Sequence, residues 1–140
     1  MSRHRSRQRA VQVLFQADVR QIPPEEAIRN YYDTLYSEEN EERPDQDVFM
    51  EELVYGAIAH REELDGRIAK YSENWRIERM PAVDRNILRL AAFELKEGKL
   101  PAAVVIDEAV TIAKRFSAEE SVAFMNAVLD AIRKEAEETT

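Results

Sequence analysis

Arginine dominates the start of the chain, at positions 3, 5, 7 and 9, and no lysine occurs among the first nine residues. A guanidinium donates fork-shaped hydrogen bonds to phosphate and stacks on nucleobases, which an ammonium group does poorly. The whole chain of 140 residues has a net charge of −8, so the residues outside this +4 segment sum to −12. A short basic arm on an acidic body predicts phosphate binding at one edge of the protein, with a frayed basic terminus as the structural alternative.

Residues that could support catalysis are scattered. His4 and His60 have no metal-ligand spacing to each other or to a pair of carboxylates. The chain has three dispersed glycines and no cysteine, which excludes a phosphate-cradling glycine loop and thiolate chemistry. Ser117 has no histidine nearby, and the acidic pairs at 107–108 and 119–120 suit the first turns of helices. We therefore predict a protein that is not an enzyme and that needs no metal or cofactor.

Three aromatic residues differ in where they lie relative to the apolar stripes, the faces of the predicted helices on which apolar residues recur. Phe15 and Phe124 are each displaced by about 100° from the stripe of their helix. An aromatic at such an edge is either the rim of the core, a stacking platform for a base or an anchor for a partner. Trp75 continues the helical spacing of Leu64, Ile68 and Tyr71, which predicts that it belongs to the core.

Helices must position these residues, because apolar residues recur at helical spacing along most of the chain and no segment reads as a convincing strand. The fold class is predicted to be all-α, with about six to seven helices. Five residues mark helix boundaries: Pro24, Asp47, Gly98, Pro101 and Ser117, the last as the start of a capping box.

The segments between the helices divide the chain. The acidic stretch 37–46 reads as a loop, a helix break is expected near Arg61, and the segment 76–83 with Pro81 reads as a linker. We predict a single domain over 1–140 with sub-lobes at about 1–76 and 82–134. If the first helix extends back to Arg3, then Arg3 and Arg7 share a face with Ala10 and Leu14. Because a core does not accommodate an isolated arginine, the basic arm is expected to project past the body.

Four motifs resemble one known family. The segments are RQRAVQVLF at 7–15, DRNILRLAAFEL at 84–95, IDEAV at 106–110 and FMNAVLD at 124–130. In this order they resemble the NusB transcription antitermination factors, and the collinear match covers roughly 3–132. The resemblance implies an all-helical fold of two three-helix lobes.

The resemblance also implies a function. Members of the family bind the boxA segment of nascent ribosomal RNA transcripts together with NusE, a small-subunit ribosomal protein, and help the RNA polymerase complex to read through terminators. Six residues match positions of the family's RNA-binding edge: Arg3, His4, Arg5, Arg7, Phe124 and Asn126.

Two residues, Phe15 and Asp84, match the face of the family that meets NusE. Asp84 also suits a plain N-cap or first-turn role in the helix that follows it. Phe15 stands where the family commonly has Tyr, which implies that one hydroxyl-mediated partner contact is missing. Ala127 stands where Gly is usual and Asp107 where Asn is usual.

A second interpretation stays open from the sequence. It is a helical protein-interaction module that self-associates, for instance as a homodimer that buries the arm, and does not bind RNA alone. Both interpretations predict a cytoplasmic protein, and no stretch approaches the roughly 20 consecutive apolar residues of a membrane span.

Overall fold

The computed structural model describes residues 2–35, 45–73 and 75–138. These residues form seven α-helices and one short 3-10 turn, and none of them is in a strand. This all-helical architecture confirms the predicted fold class. The helices are α1 (Arg3–Arg20), α2 (Pro24–Leu35), α3 (Val48–Ala59), α4 (Arg61–Lys70), α5 (Ala82–Glu97), α6 (Ala102–Phe116) and α7 (Glu119–Glu138), with the 3-10 turn η1 (Ile77–Arg79) between α4 and α5.

Local sequence explains most of the helix ends. The Asp47 side chain caps α3 by accepting a hydrogen bond from the backbone N–H of Met50, as predicted. Gly98 ends α5 with a φ of 67°, a left-handed conformation that glycine adopts without a steric penalty. The break near Arg61 is present as well, because α3 ends at Ala59 and α4 begins two residues later. The predicted loop 37–46 lies outside the described residues, apart from its last two positions.

Helix α5 is the centre of the molecule. It packs against α1, α3 and α4 as well as against α6 and α7, and all of its residues from Ile87 to Phe93 are buried. The buried apolar side chains of all these helices form one core cluster. The division into sub-lobes at about 1–76 and 82–134 stays a prediction, with α5 as the element that both halves share.

A glycine allows α3 to approach α5 closely. A Cβ atom on Gly56 would overlap the ring of Phe93. The ring of His60, the residue that follows α3, stacks on the same Phe93 ring, with the ring centroids 5.9 Å apart. The close approach of α3 and α5 fixes the position of the last turns of α5, where the contacts to the basic arm are made.

A network of charged side chains locks α1 against the first half of α5. Asp18 of α1 accepts hydrogen bonds from Arg85 (2.6 and 2.9 Å), Asn86 (2.9 Å) and Arg89 (2.9 Å), while Arg89 also donates two bonds to Asp65 of α4. Burial by itself would raise the pKa of Asp18. The hydrogen bonds from Arg85 and Asn86 and the charges of the two arginines outweigh that effect and lower the pKa to about 2.

Two predictions about the elements are wrong. Trp75 is not in the core but 47% exposed, because α4 ends at Lys70 and the helical stripe on which that prediction rested stops there. Ser117 does not begin the capping box of α7, because α7 begins at Glu119 and its first backbone hydrogen bond is accepted by Ala118; the Ser117 hydroxyl donates to Asp84, on α5. None of the helices within the described ranges combines the length and the apolar character that crossing a membrane requires.

Candidate nucleic-acid and partner interface

The basic arm is the first two turns of α1 rather than an extended tail. The Ser2 hydroxyl caps the helix by accepting a hydrogen bond from the backbone of Arg5 (3.2 Å). Arg3 and Arg5 are both exposed, and the guanidinium of Arg3 lies 4.4 Å from the centroid of the Phe49 ring on α3. These two arginines are therefore held at the start of a helix, with their charges accessible to a ligand.

Arg7 is buried, contrary to the expectation that the whole arm projects past the body. It is 4% exposed, and its Nε donates to both carboxylate oxygens of Glu94 (3.0 and 2.9 Å) while its Nη2 donates to one of them (2.8 Å). The hydrogen bond with Glu94 is the main reason why the pKa of Arg7 is raised above the ordinary value for arginine. The expectation was wrong because a carboxylate 87 residues away in the chain gives the arginine a partner inside the protein, which a sequence pattern does not reveal.

Carboxylates of the body also reach two other basic residues of the arm. The Nδ1 atom of His4 lies 2.5 Å from Oε2 of Glu108, on α6. Arg9 forms an ion pair with Asp47 (3.4 Å). The arm therefore presents Arg3 and Arg5 as its exposed cations, and the remaining basic residues are partly or fully matched by acids.

Ser6 is a positioning residue that the sequence reasoning missed. Its hydroxyl is 2.9 Å from each carboxylate oxygen of Asp47, the residue that caps α3. Because Ser6 is itself buried, this contact joins the first turns of α1 to the start of α3. A serine within a basic segment carries no signal of its own that could have identified this role.

Phe124 and Asn126 lie on different sides of α7. Phe124 is half-buried against the core, and its ring packs on Trp75 with centroids 5.3 Å apart. Asn126 is exposed and, two residues later on a helix, points about 200° away from Phe124. The two residues therefore do not form one flat contact surface, and the structure shows no contact between Phe124 and the arm.

Phe15 lines an apolar groove between the first two helices and the α5–α6 pair. Phe15 and Phe116 are each 39% exposed there, and Val11, Gln12, Gln16, Tyr31, Thr34 and Val83 complete the lining. Exposed aromatic rings in a groove are typical of a surface that binds a protein partner.

Asp84 lies beside this groove but is not on its surface. It is 3% exposed, and its carboxylate accepts a hydrogen bond of 2.6 Å from the Ser117 hydroxyl. Its chain neighbour Val83 and the neighbour of Ser117, Phe116, both line the groove. The geometry gives Asp84 an interior role in joining the start of α5 to the end of α6.

Helix α1 runs antiparallel to α5, with the arm in its first turns and the groove-lining residues, Val11 to Gln16, in its middle. Arg7 pairs with Glu94 near the C-terminal end of α5, while Asp18 pairs with Arg85 near its N-terminal end. The two contacts on α5 are nine residues apart, which is about 14 Å along a helix. The exposed arginines of the arm are Arg3 and Arg5, and the groove begins about 9 Å further along α1, at Val11, so the arm and the groove are separate surfaces.

Comparison with known proteins identifies relatives over nearly the whole chain. Residues 4–134 match the NusB family. The transcription antitermination protein NusB of Solibacter usitatus is 57% identical over 134 residues, which cover 96% of this chain and 90% of that protein.

Solved structures agree with this result. The fold is similar to NusB of T. maritima, with a TM-score of 0.82 and 34% identity over 96% of this chain and 92% of that one. It is also similar to a chain in the crystal structure of antitermination factors NusB and NusE in complex with dsRNA, with a TM-score of 0.79 and 31% identity over 96% of this chain and 99% of the other. On the sequence match and the fold together, the chain belongs to the NusB family.

Proposed function

We propose that this protein is a transcription antitermination factor that binds boxA-type RNA of nascent ribosomal RNA transcripts together with NusE. The observation that carries the proposal is the full-length similarity to a chain in the structure of NusB and NusE with dsRNA. The role is one of binding, within the antitermination complex of RNA polymerase, and it includes no catalytic step. It requires a cytoplasmic protein.

On the RNA side, Arg3 and Arg5 are the residues that contact phosphate in this proposal. Both are exposed at the start of α1, whereas Arg7 is engaged by Glu94. Arg7 therefore acts as a positioning residue that fixes the first turns of α1 on α5. His4 binds RNA only when its contact with Glu108 gives way to a phosphate. Phe124 offers a ring for a base, and Asn126 reaches RNA that passes around the other side of α7.

On the protein side, NusE occupies the groove lined by Phe15 and Phe116. The exposed rings supply apolar contact area, and the body of the protein is acidic, which suits a basic ribosomal protein. Asp84 contributes indirectly, by holding Val83 and Phe116 in place through its hydrogen bond with Ser117. The phenyl ring of Phe15 contacts the partner without the hydroxyl that a tyrosine would offer.

The test is a fluorescence-anisotropy titration of a labelled boxA-type RNA, with and without NusE. We expect NusE to tighten RNA binding, and RNA to tighten NusE binding by the same factor, because the linkage between two ligands is reciprocal. Unchanged RNA affinity in the presence of saturating NusE would contradict the coupled function. Self-association without RNA binding, seen by size exclusion with light scattering, would favour a protein-interaction module instead.

A matched pair of variants separates the arm from general charge. Arg5→Ala is expected to weaken RNA binding for all sequences, because phosphate contacts carry little sequence information. Arg20→Ala removes the same charge at the other, exposed end of α1 and is expected to leave RNA binding nearly unchanged. The two exposed arginines of the arm should together contribute about −1.4 to the slope of log K against log salt.

A further inference from the structure

The pairing of Trp75 with Phe124 is the least expected aromatic contact in the protein. The two rings lie 5.3 Å apart with an angle of 42° between their planes. Phe124 is half-buried on α7, but Trp75 leaves 47% of its surface in solvent. A tryptophan that only filled the core would bury more of its ring, because its large apolar area is what stabilises the folded state.

The backbone after α4 holds Trp75 outward. Its N–H donates to the carbonyl of Ser72 (2.9 Å), which closes a turn, and the N–H of Arg79 donates to the carbonyl of Arg76 (2.9 Å) in η1. Ile77 and Met80 are buried and anchor this segment in the core. Among the described residues of this segment, Trp75, Arg76 and Arg79 are therefore exposed together.

The surroundings of the ring are polar and include two available cations. Trp75, Arg76 and Arg79 line a concave surface together with Ser72, Ala69 and Glu73. Neither arginine forms an ion pair with any residue in the part of the chain that the structure describes. One glutamate against two arginines leaves a net positive lining, on a protein whose net charge is −8.

We propose that Trp75 and Phe124 form a stacking platform for a base of single-stranded RNA, with Arg76 and Arg79 contacting the adjoining phosphates. This inference rests on the proposed function, since it adds a second RNA contact to that of the arm. A base has an apolar face for the indole ring and is linked to phosphates that suit arginine, so a nucleotide matches both halves of the surface. A protein partner that needs a wide apolar patch would find Trp75 surrounded by charged, exposed side chains.

The chain contains a single tryptophan, so intrinsic fluorescence reports on Trp75 alone. The ligand is a boxA-type single-stranded RNA of about 12 nucleotides, within the site sizes of single-strand binders. Its 5′ label gives anisotropy as the measure of total binding. We expect the Trp75 emission to be quenched along the same titration curve as the anisotropy rises.

Variants then measure the contribution of the platform. Trp75→Ala is expected to weaken RNA binding about 5- to 150-fold, the change that corresponds to ~1–3 kcal/mol for one stacked base. Trp75→Phe keeps an aromatic face and should retain most of the affinity. The control is Tyr55→Ala, which deletes another exposed aromatic residue, on α3, and should leave RNA binding unchanged. Far-ultraviolet dichroism verifies that each variant is folded at the temperature of the titration.

Two kinds of result would overturn the platform alone, and a third would also refute the proposed function. RNA binding by anisotropy without quenching, or with the same affinity in Trp75→Ala, would leave the antitermination function intact but exclude the platform. Loss of NusE binding in Trp75→Ala with unchanged RNA affinity would assign the surface to a protein. No anisotropy change with any RNA, with or without NusE, would refute both proposals.

Discussion

The buried ion pair between Arg7 and Glu94 gives the sharpest test of the structure. The perturbation is Glu94→Ala, which removes the acceptor of three hydrogen bonds from Arg7. Arg7 is 4% exposed, so its charge would remain buried without a partner. Breaking a buried pair in this way costs about 3–5 kcal/mol. That is a large part of the 5–15 kcal/mol by which a typical domain is stable.

Urea unfolding followed by far-ultraviolet dichroism measures this cost. The midpoint for Glu94→Ala should fall sharply while the slope of the free energy of unfolding against urea stays the same. The matched control is Glu97→Ala, three residues later on α5, where the carboxylate is exposed and paired only at 3.8 Å with Lys99. That exposed pair should contribute between about 0 and 1 kcal/mol.

The double variant Arg7→Met with Glu94→Leu separates structure from ligand contact. It removes both charges and replaces them with apolar side chains, so it should be more stable than Glu94→Ala. If Arg7 only positions α1, the double variant keeps its RNA affinity when folded. Equal midpoints for Glu94→Ala and Glu97→Ala would refute the buried pair, and loss of RNA binding by a stable double variant would show that Arg7 contacts RNA directly.

Three further predictions follow from the geometry. The pKa of the Asp18 carboxylate is lowered to about 2, so its charged form stabilises the fold by about 2 kcal/mol above the ordinary aspartate pKa near 4, and this stabilisation is lost as the pH falls from about 4 to 2. Acid unfolding of Asp18→Asn should lack that part of the pH dependence. An acid-unfolding profile identical to that of the wild type would contradict the Asp18 network. Glu108→Gln removes a negative charge 2.5 Å from His4 and should tighten RNA binding by the arm severalfold in anisotropy titrations, whereas weaker binding by a folded variant would mean that Glu108 supports the site. Gly56→Ala should lower the free energy of unfolding in urea by about 1–3 kcal/mol, because the added Cβ overlaps the ring of Phe93. The control is Gly66→Ala on α4, where an added Cβ has no neighbouring atom within 4 Å; it should raise the free energy of unfolding by about 0.5–1 kcal/mol.

The presence of the helices and the positions of several helix ends follow from interactions between residues that are close together in the chain. Asp47 caps α3 because its side chain reaches a backbone N–H three residues later. Gly98 ends α5 because a left-handed residue is needed there and glycine has no Cβ to oppose it. Such interactions join residues within one turn, so the order of residues in the chain contains the necessary information. The all-helical fold could be predicted for this reason.

Individual site residues were harder to predict, because their environment comes from distant parts of the chain. The same helical spacing that placed Trp75 in the core fails once α4 ends, and its ring finds Phe124 instead. The sequence predicts Asp84 in the first turn of α5. The hydrogen bond that its buried carboxylate accepts from Ser117 depends on where α6 ends, which the sequence around Asp84 does not reveal.

The amino-acid order is enough to predict a basic, arginine-rich start on an acidic helical body, and the family motifs indicate which edges of that body bind ligands. Which of those arginines are available to a ligand depends on how the helices pack. Arg3 and Arg5 stay exposed, while Arg7 meets Glu94 across 87 residues of chain. The physical reason is that burying a charge is unfavourable unless a partner of opposite charge is placed beside it, and that placement is a property of helix packing.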